Sequence, residues 1–372
     1  MILYILLFFP LAWLSIMESS YKFKRKDSIL VSFIFLFIFW TLSWLRWERG
    51  TDWGNYYNFF KDYATNYNLA TNSGFEWGFA TINYIIRSFT DDYTILLFSL
   101  ACLFYPFAGY AICQTSTRPI TTTFVAYTLN SGFIFFTRQG IVVGILLLSV
   151  YFIFKRKKIF FLLLIFYGCL FHTSALLFLP AYWIFHKRIK TQTLIIILAI
   201  SVPVAIALNK FLLGLMTGIP GFIGVKIANY LESGGDFAGF GQSVYRVIAG
   251  GLINRGGILI VALIILGKNR INNAYANGII NLYALGFILF MMTAPITVSL
   301  TRIAEYYNSM GIFIIPILFN YLQSKQSKML CSVLFVAYLS YRFFIGSLHG
   351  PYGELYVPFN SIFTKEKVMK IG

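Results

Sequence analysis

Arg46, Arg49 and Asp52 stand close together in the stretch RWERGTDWGNYYNFF, directly after an apolar run that carries no charge past its first residue. Further along, Glu76, Arg87, Arg138, Arg246, Arg255, Arg302 and Glu305 are ionisable groups beside apolar segments, and His172 is the only histidine in an apolar context. Ionisable groups near a bilayer interior are costly, so each is a functional candidate by default. Arginine stays charged in a partly dehydrated site and presents a fork matched to phosphate or carboxylate oxygens. The natural partner of such a set is an anionic substrate delivered in the membrane.

Each residue also has a plainer reading. Asp52 is placed to cap a helix beginning at Trp53, because an N-cap carboxylate satisfies orphan amides. Arg302 and Glu305 are spaced for an ion pair on one helix. Arg46 and Arg49, next to Trp44, Trp47 and Trp53, suit interfacial anchoring in an aromatic belt. His172 suits a core histidine bonded to a carbonyl. The row Tyr56, Tyr57, Tyr63 and Tyr67 suits either stacking on sugar faces or headgroup-level burial. What favours chemistry is that these residues converge on one expected membrane face.

The elements that must position them are membrane helices. Hydrophobic residues make up 58% of the 372 and charged residues 12%, about half the charged share of a soluble domain. A span needs about 20 apolar residues, and the chain offers about a dozen such runs. The expected fold is all-α: a single polytopic membrane domain over residues 1–372, with about 12 membrane-embedded helices. The first run lacks a basic n-region and a cleavage site and reads as a retained helix. The cysteines at 102, 113, 169 and 331 lie in apolar stretches with no metal or disulfide spacing.

Basic clusters at 21–26, 155–158, 186–190, 267–270 and 323–328 read as cytoplasmic loops. Placing them inside puts residues 46–93 and 210–250, and the tail from Ser347, on the outer face. Residues 75–89 then form an amphipathic interfacial helix. Residues 159–185, too few for two full spans, form a hairpin of short helices with its apex near Phe171-His172-Thr173. The inside segments carry most of the formal net charge of +17, so the basicity is a topology signal and points to no nucleic acid.

Arg46-x-x-x-Gly50-Thr51-Asp52-Trp53-x-x-Tyr56 resembles the R…GTDY..Y signature of the EpsG-type polysaccharide polymerases, relatives in function of the O-antigen polymerase Wzy. Phe75-Glu76-Trp77-Gly78-Phe79 resembles the family's E-P-G-F element, Thr137-Arg138-Gln139-Gly140 its R-Q block, and Phe171 to Leu176 its F-H-x-S-A element. Thr301-Arg302 through Tyr306 is similar to the R…Y element, and Pro351-Tyr352 or Val357-Pro358-Phe359 to a terminal P-Y motif. Trp53 and Trp77 depart from the family pattern, but no ionisable group is lost.

The resemblance implies a metal-independent glycosyltransferase of GT-C-like architecture in the bacterial inner membrane, with its site facing the periplasm or outside and no cofactor. It would move a growing glycan from undecaprenyl diphosphate onto the non-reducing-end sugar of a fresh lipid-linked repeat unit. Donor and acceptor are both lipid-linked oligosaccharides, and a chain-length regulator protein is a further candidate partner. His172, or in competition Asp52, would be the catalytic base. Arg302, Arg138, Arg46 and Arg255, in that order, then Arg49, Glu76, Tyr56 and Tyr306, would bind substrate and diphosphate. An O-antigen ligase and a membrane acyltransferase would use similar residues on the same face. A lipid-linked oligosaccharide flippase would need internal repeats, and none is visible.

Overall fold

A computed structural model describes residues 1–21, 23–136, 138–217, 244–294, 298–350 and 353–364. Among them the chain is helical, with one isolated β-bridge between Arg46 and Ser361. Among the described residues, six helices are long and apolar enough to cross a membrane: Ile2–Ser20, Arg25–Leu45, Tyr93–Thr115, Tyr245–Leu266, Ala274–Thr293 and Lys325–Leu348. Arg138–Phe154, Lys158–Cys169 and Thr191–Val204 are shorter apolar helices. The chain is therefore a polytopic helical membrane protein; these nine apolar helices among the described residues are fewer than the about 12 membrane-embedded helices expected. The chain divides into two compact units, Met1–Leu176 with Ile315–Gly372, and Leu177–Ile314.

The first unit is built on α1 (Ile2–Ser20), α2 (Arg25–Leu45), α3 (Trp53–Asn58), α4 (Tyr67–Thr71), α5 (Trp77–Phe89), α6 (Tyr93–Thr115), α7 (Pro119–Asn130), α8 (Arg138–Phe154) and α9 (Lys158–Cys169), joined by helix Lys325–Ser340. On α1, Ile2, Leu6, Phe9 and Trp13 are exposed at helical spacing while Tyr4, Phe8 and Leu11 are buried. An apolar outer face is what lipid rather than water requires. Contacts inside are close because small polar residues sit there: Ser32 Oγ and Thr123 Oγ1 are 2.5 Å apart between α2 and α7, a packing mode suited to membrane helices.

Register is fixed by named pairs. The Arg25 guanidinium donates to the carbonyls of Cys113 and Ser116, and Trp44 meets Phe98, so α2 and α6 run antiparallel. Phe104 stacks on Phe136 just before α8, and Tyr110 meets Tyr151 within it, so α6 and α8 run parallel. The Glu18 carboxylate accepts from the amides of Ile120 and Thr121, while the Tyr127 hydroxyl donates to the Tyr4 carbonyl, so α1 and α7 are antiparallel. The unit thus has two ends. One gathers the termini of α1, α2, α6, α7 and α8 with the basic segments 23–26, 155–158 and 323–328. The other gathers Arg46–Trp53, Tyr93 and Arg138.

In the second unit the basic segments 186–190 and 267–270 also meet. Arg270, expected as a loop anchor, is fully buried and donates to Asn281 Oδ1 at 3.0 Å and to the Ile189 carbonyl. Asn277 and Asn281 hold the Lys187 carbonyl, each at 2.7 Å. The loop expected over residues 210–250 is corrected at both ends. A helix runs from Thr191 to Thr217, and Val244–Gly251 is helical and runs into Gly257–Leu266; the middle lies outside the described residues. The apolar pattern of 252–266 extends backward through Val247 and Ile248, both buried, which is why the helix starts early.

Candidate functional site

Local close approach brings the site together. α5 begins at Trp77, and a Cβ on Gly78 would lie 2.6 Å from Leu170 Cβ and 2.7 Å from its carbonyl oxygen. Only glycine allows that approach, and the Phe79 amide then donates to the Leu170 carbonyl at 3.1 Å. The first turn of α5 is thereby docked on the turn that leaves α9, whose amides of Phe171 and His172 bond back to Gly168. Glu76, one residue before α5, is carried to Thr173 and His172 although almost a hundred residues separate them in sequence.

The Glu76 carboxylate is shared by three partners. Oε2 is ion-paired with Arg138 at the start of α8. Oε1 accepts from the Thr173 amide at 3.2 Å and its hydroxyl at 3.4 Å, and lies 3.9 Å from His172 Nδ1. The Glu76 side chain is 7% exposed, Arg138 17% and His172 19%, so the cluster is partly dehydrated yet open. Arg138 is caged by rings, its Cζ 4.3 Å from the Phe75 centroid, 5.5 Å from Phe79 and 5.7 Å from Tyr56, whose hydroxyl accepts from Nε at 3.4 Å. A caged guanidinium holds its fork in one orientation. On the histidine, Nδ1 lies 2.6 Å from the Ser174 hydroxyl. This is the arrangement of a base whose far nitrogen is oriented by a hydroxyl and backed by a carboxylate.

Other expected residues fall elsewhere. Arg46 is 5% exposed and donates to the carbonyls of Ile134 at 3.1 Å and Phe136 at 2.7 Å, with its Cζ over the Phe136 ring. Burial pushes its guanidinium down to about 10. In this arrangement its guanidinium holds the approach to α8. Arg49 donates to the Glu354 carbonyl at 2.7 Å, and Asn360, with its amide oxygen turned inward, accepts from Arg49 Nη2 and Nε at 3.0 and 3.2 Å. The segment 353–364 forms a strap over this turn, through Trp47 amide to Asn360 carbonyl, Gly50 amide to Leu355 carbonyl and Ile362 amide to Leu45 carbonyl. Val357-Pro358-Phe359 lies in that strap, and Phe359 and Tyr356 pack on Phe135; Pro351-Tyr352 and Thr137 lie outside the described residues.

Asp52 occupies the N-cap position of α3 with φ +60, and its side chain makes no bond to the first-turn amides. The capping reading is thus corrected: a left-handed N-cap turns the carboxylate away from those donors. Trp53 and Tyr57 are stacked 5.0 Å apart and pack with Trp47 and Tyr93, so these aromatics form one cluster at the turn between α2 and α3. Tyr63, Tyr67 and Trp77 remain exposed. In the second unit Glu305 lies 3.8 Å from Arg255 Nη2, an interhelical neighbour, and Arg255 rests on Phe290 at 3.9 Å. Arg302 and Arg246 are exposed, whereas Tyr306 is fully buried among the described residues.

The three segments that meet at Glu76, Arg138 and His172 are the E-x-G-F, R-Q and F-H-x-S-A elements. A profile of the EpsG family matches residues 3–361. The chain belongs to the EpsG family. No curated protein and no solved structure matches it. EpsG-family membership gives the chain a polysaccharide polymerase-type role as a glycosyltransferase-like membrane protein. Phe75, Phe79, Thr173 and Ser174 stand inside the EpsG-like elements, yet carried no expected role. Their spacing of one to three residues from Glu76 and His172 was the available signal.

Proposed function

We propose that this EpsG-family protein polymerises lipid-linked oligosaccharide repeat units at the outer face of a bacterial plasma membrane. The growing glycan leaves undecaprenyl diphosphate and joins the non-reducing-end sugar of a new lipid-linked unit, without a metal. The observation that carries this reading is the meeting of Glu76, Arg138 and His172 in one partly dehydrated cluster.

In the reaction, an acceptor hydroxyl oxygen bonds to the donor's anomeric carbon, and the bond from that carbon to the lipid diphosphate breaks. His172 takes the hydroxyl proton on Nε2, which requires the tautomer protonated on Nδ1, the nitrogen 2.6 Å from the Ser174 hydroxyl. Glu76, beside Nδ1, stabilises the imidazolium that forms. Arg138 holds Glu76 and offers its remaining N–H groups to anionic substrate oxygens. Arg302 and Arg255 are the second unit's candidates for the departing diphosphate. Asp52 is the competing base.

The test is the surface-polysaccharide profile of a deletion strain complemented with wild type or His172→Ala. A ladder with wild type, and single repeat units with the vector and with a membrane-inserted His172→Ala protein, is the expected result. Long chains in the deletion strain would reject polymerisation. Loss of the single-repeat product as well would favour a flippase or ligase.

A further inference from the structure

At the end of the first unit opposite the Glu76 cluster, a cavity of about 670 Å³ opens among the termini of α1, α2, α6 and α7 and helix Lys325–Ser340. Four cations line it: Arg25, Arg118, Lys325 and Lys328. Glu18 is the one carboxylate among its described lining residues, and both its oxygens are taken up by the first turn of α7, from the Ile120 amide at 3.2 Å and the Thr121 amide and hydroxyl at 2.7 and 2.8 Å. That carboxylate offsets a helix dipole and leaves the cavity's positive charge standing. Arg118 is anchored to the Glu18 carbonyl at 2.6 Å and over the Phe319 ring, while its buried Nε has no hydrogen-bond partner among the described residues. Lys325 rests on the exposed Tyr21 ring at 4.1 Å.

We infer that this cavity binds the phosphate headgroup of an anionic membrane lipid. The shared chemistry is that of any phosphate anion, but the surroundings favour a lipid. In the turns following Lys325 and Lys328, the same helix exposes Met329, Leu330, Val333 and Leu334, so acyl chains attached to a headgroup at the lysines have apolar surface to lie on. Tyr21 and Lys325 form the aromatic and cationic rim usual at headgroup level. Basic pockets between membrane helices on the side where lysines gather bind anionic headgroups for the same electrostatic reason. The site lies apart from the proposed glycan chemistry and stands whether or not that reading does.

The experiment is native mass spectrometry of the full-length protein in detergent, titrated with phosphatidylglycerol, phosphatidylcholine or inorganic phosphate. Wild type is expected to retain phosphatidylglycerol over phosphatidylcholine. Lys325→Gln/Lys328→Gln, which leaves the Arg118 anchor intact, should weaken that retention about tenfold or more without changing phosphatidylcholine. Arg118→Gln should weaken it further in the same direction. Equal retention of the two lipids, an unchanged affinity in the double variant, or displacement of the lipid by equimolar inorganic phosphate would each overturn the lipid site.

Discussion

At the scale of single residues, the decisive relation is the sharing of one carboxylate. Glu76 is 7% exposed and has Arg138 on one oxygen and Thr173 and His172 on the other. Breaking such a pair from one side leaves a buried charge uncompensated, at a cost of about 3–5 kcal/mol, whereas neutralising both sides costs far less. Glu76→Gln or Arg138→Gln alone should therefore lower the unfolding temperature in detergent, and the double variant should regain much of it. Polymer should be absent from all three. A double variant that makes full-length polymer would reduce the pair to scaffolding. Arg138→Lys tests the fork itself: it keeps the charge but loses the Nε bond to Tyr56 and most of the stacking on Phe75, so polymer should fall at least about tenfold, with insertion intact. Wild-type yield from Arg138→Lys would mean that a point charge suffices.

The helices matter through where they touch. Gly78 lets α5 seat on the His172 turn, because any Cβ there would overlap Leu170. Gly54, on α3, faces open space, with nothing within 4 Å of where a methyl group would stand. Gly78→Ala should cost about 1–3 kcal/mol and cut polymer yield by displacing Glu76 from Thr173, while Gly54→Ala should be neutral or slightly stabilising. Equal thermal shifts and yields in the two would refute the docking role. The spans themselves were legible in the sequence, since a run of apolar residues at 2–17 or 94–113 has few other uses. So was a break in the helix near His172, from the shortness of 159–185 between two basic segments. The fate of each arginine was not. Arg46 and Arg270 turn inward to backbone carbonyls, and carbonyls leave no trace in a residue string. The strap over residues 353–364 was hidden for the same reason, because most of its bonds to the Leu45–Gly50 segment are backbone to backbone.

For the whole molecule, the question is which way the first unit faces. Its two ends differ in kind: one carries the lysine-rich segments and the cationic cavity, the other the Glu76 cluster and the aromatic turn. Lys and Arg in short loops favour the cytoplasm, so the cluster should face outward, where lipid-linked repeat units are expected to be joined. The orientation can be read without any assay of polymer. In a background lacking Cys102, Cys113, Cys169 and Cys331, Trp77→Cys and Lys325→Cys place one thiol at each end, both at exposed positions. A membrane-impermeant maleimide applied to intact spheroplasts should label Trp77→Cys, and label Lys325→Cys only after permeabilisation. Labelling of both from outside would mean that the unit does not span the membrane as its two ends suggest. The reverse pattern would put the Glu76, Arg138 and His172 cluster in the cytoplasm, where undecaprenyl-linked units are not yet exported, and the outer-face polymerase reading would fail with it.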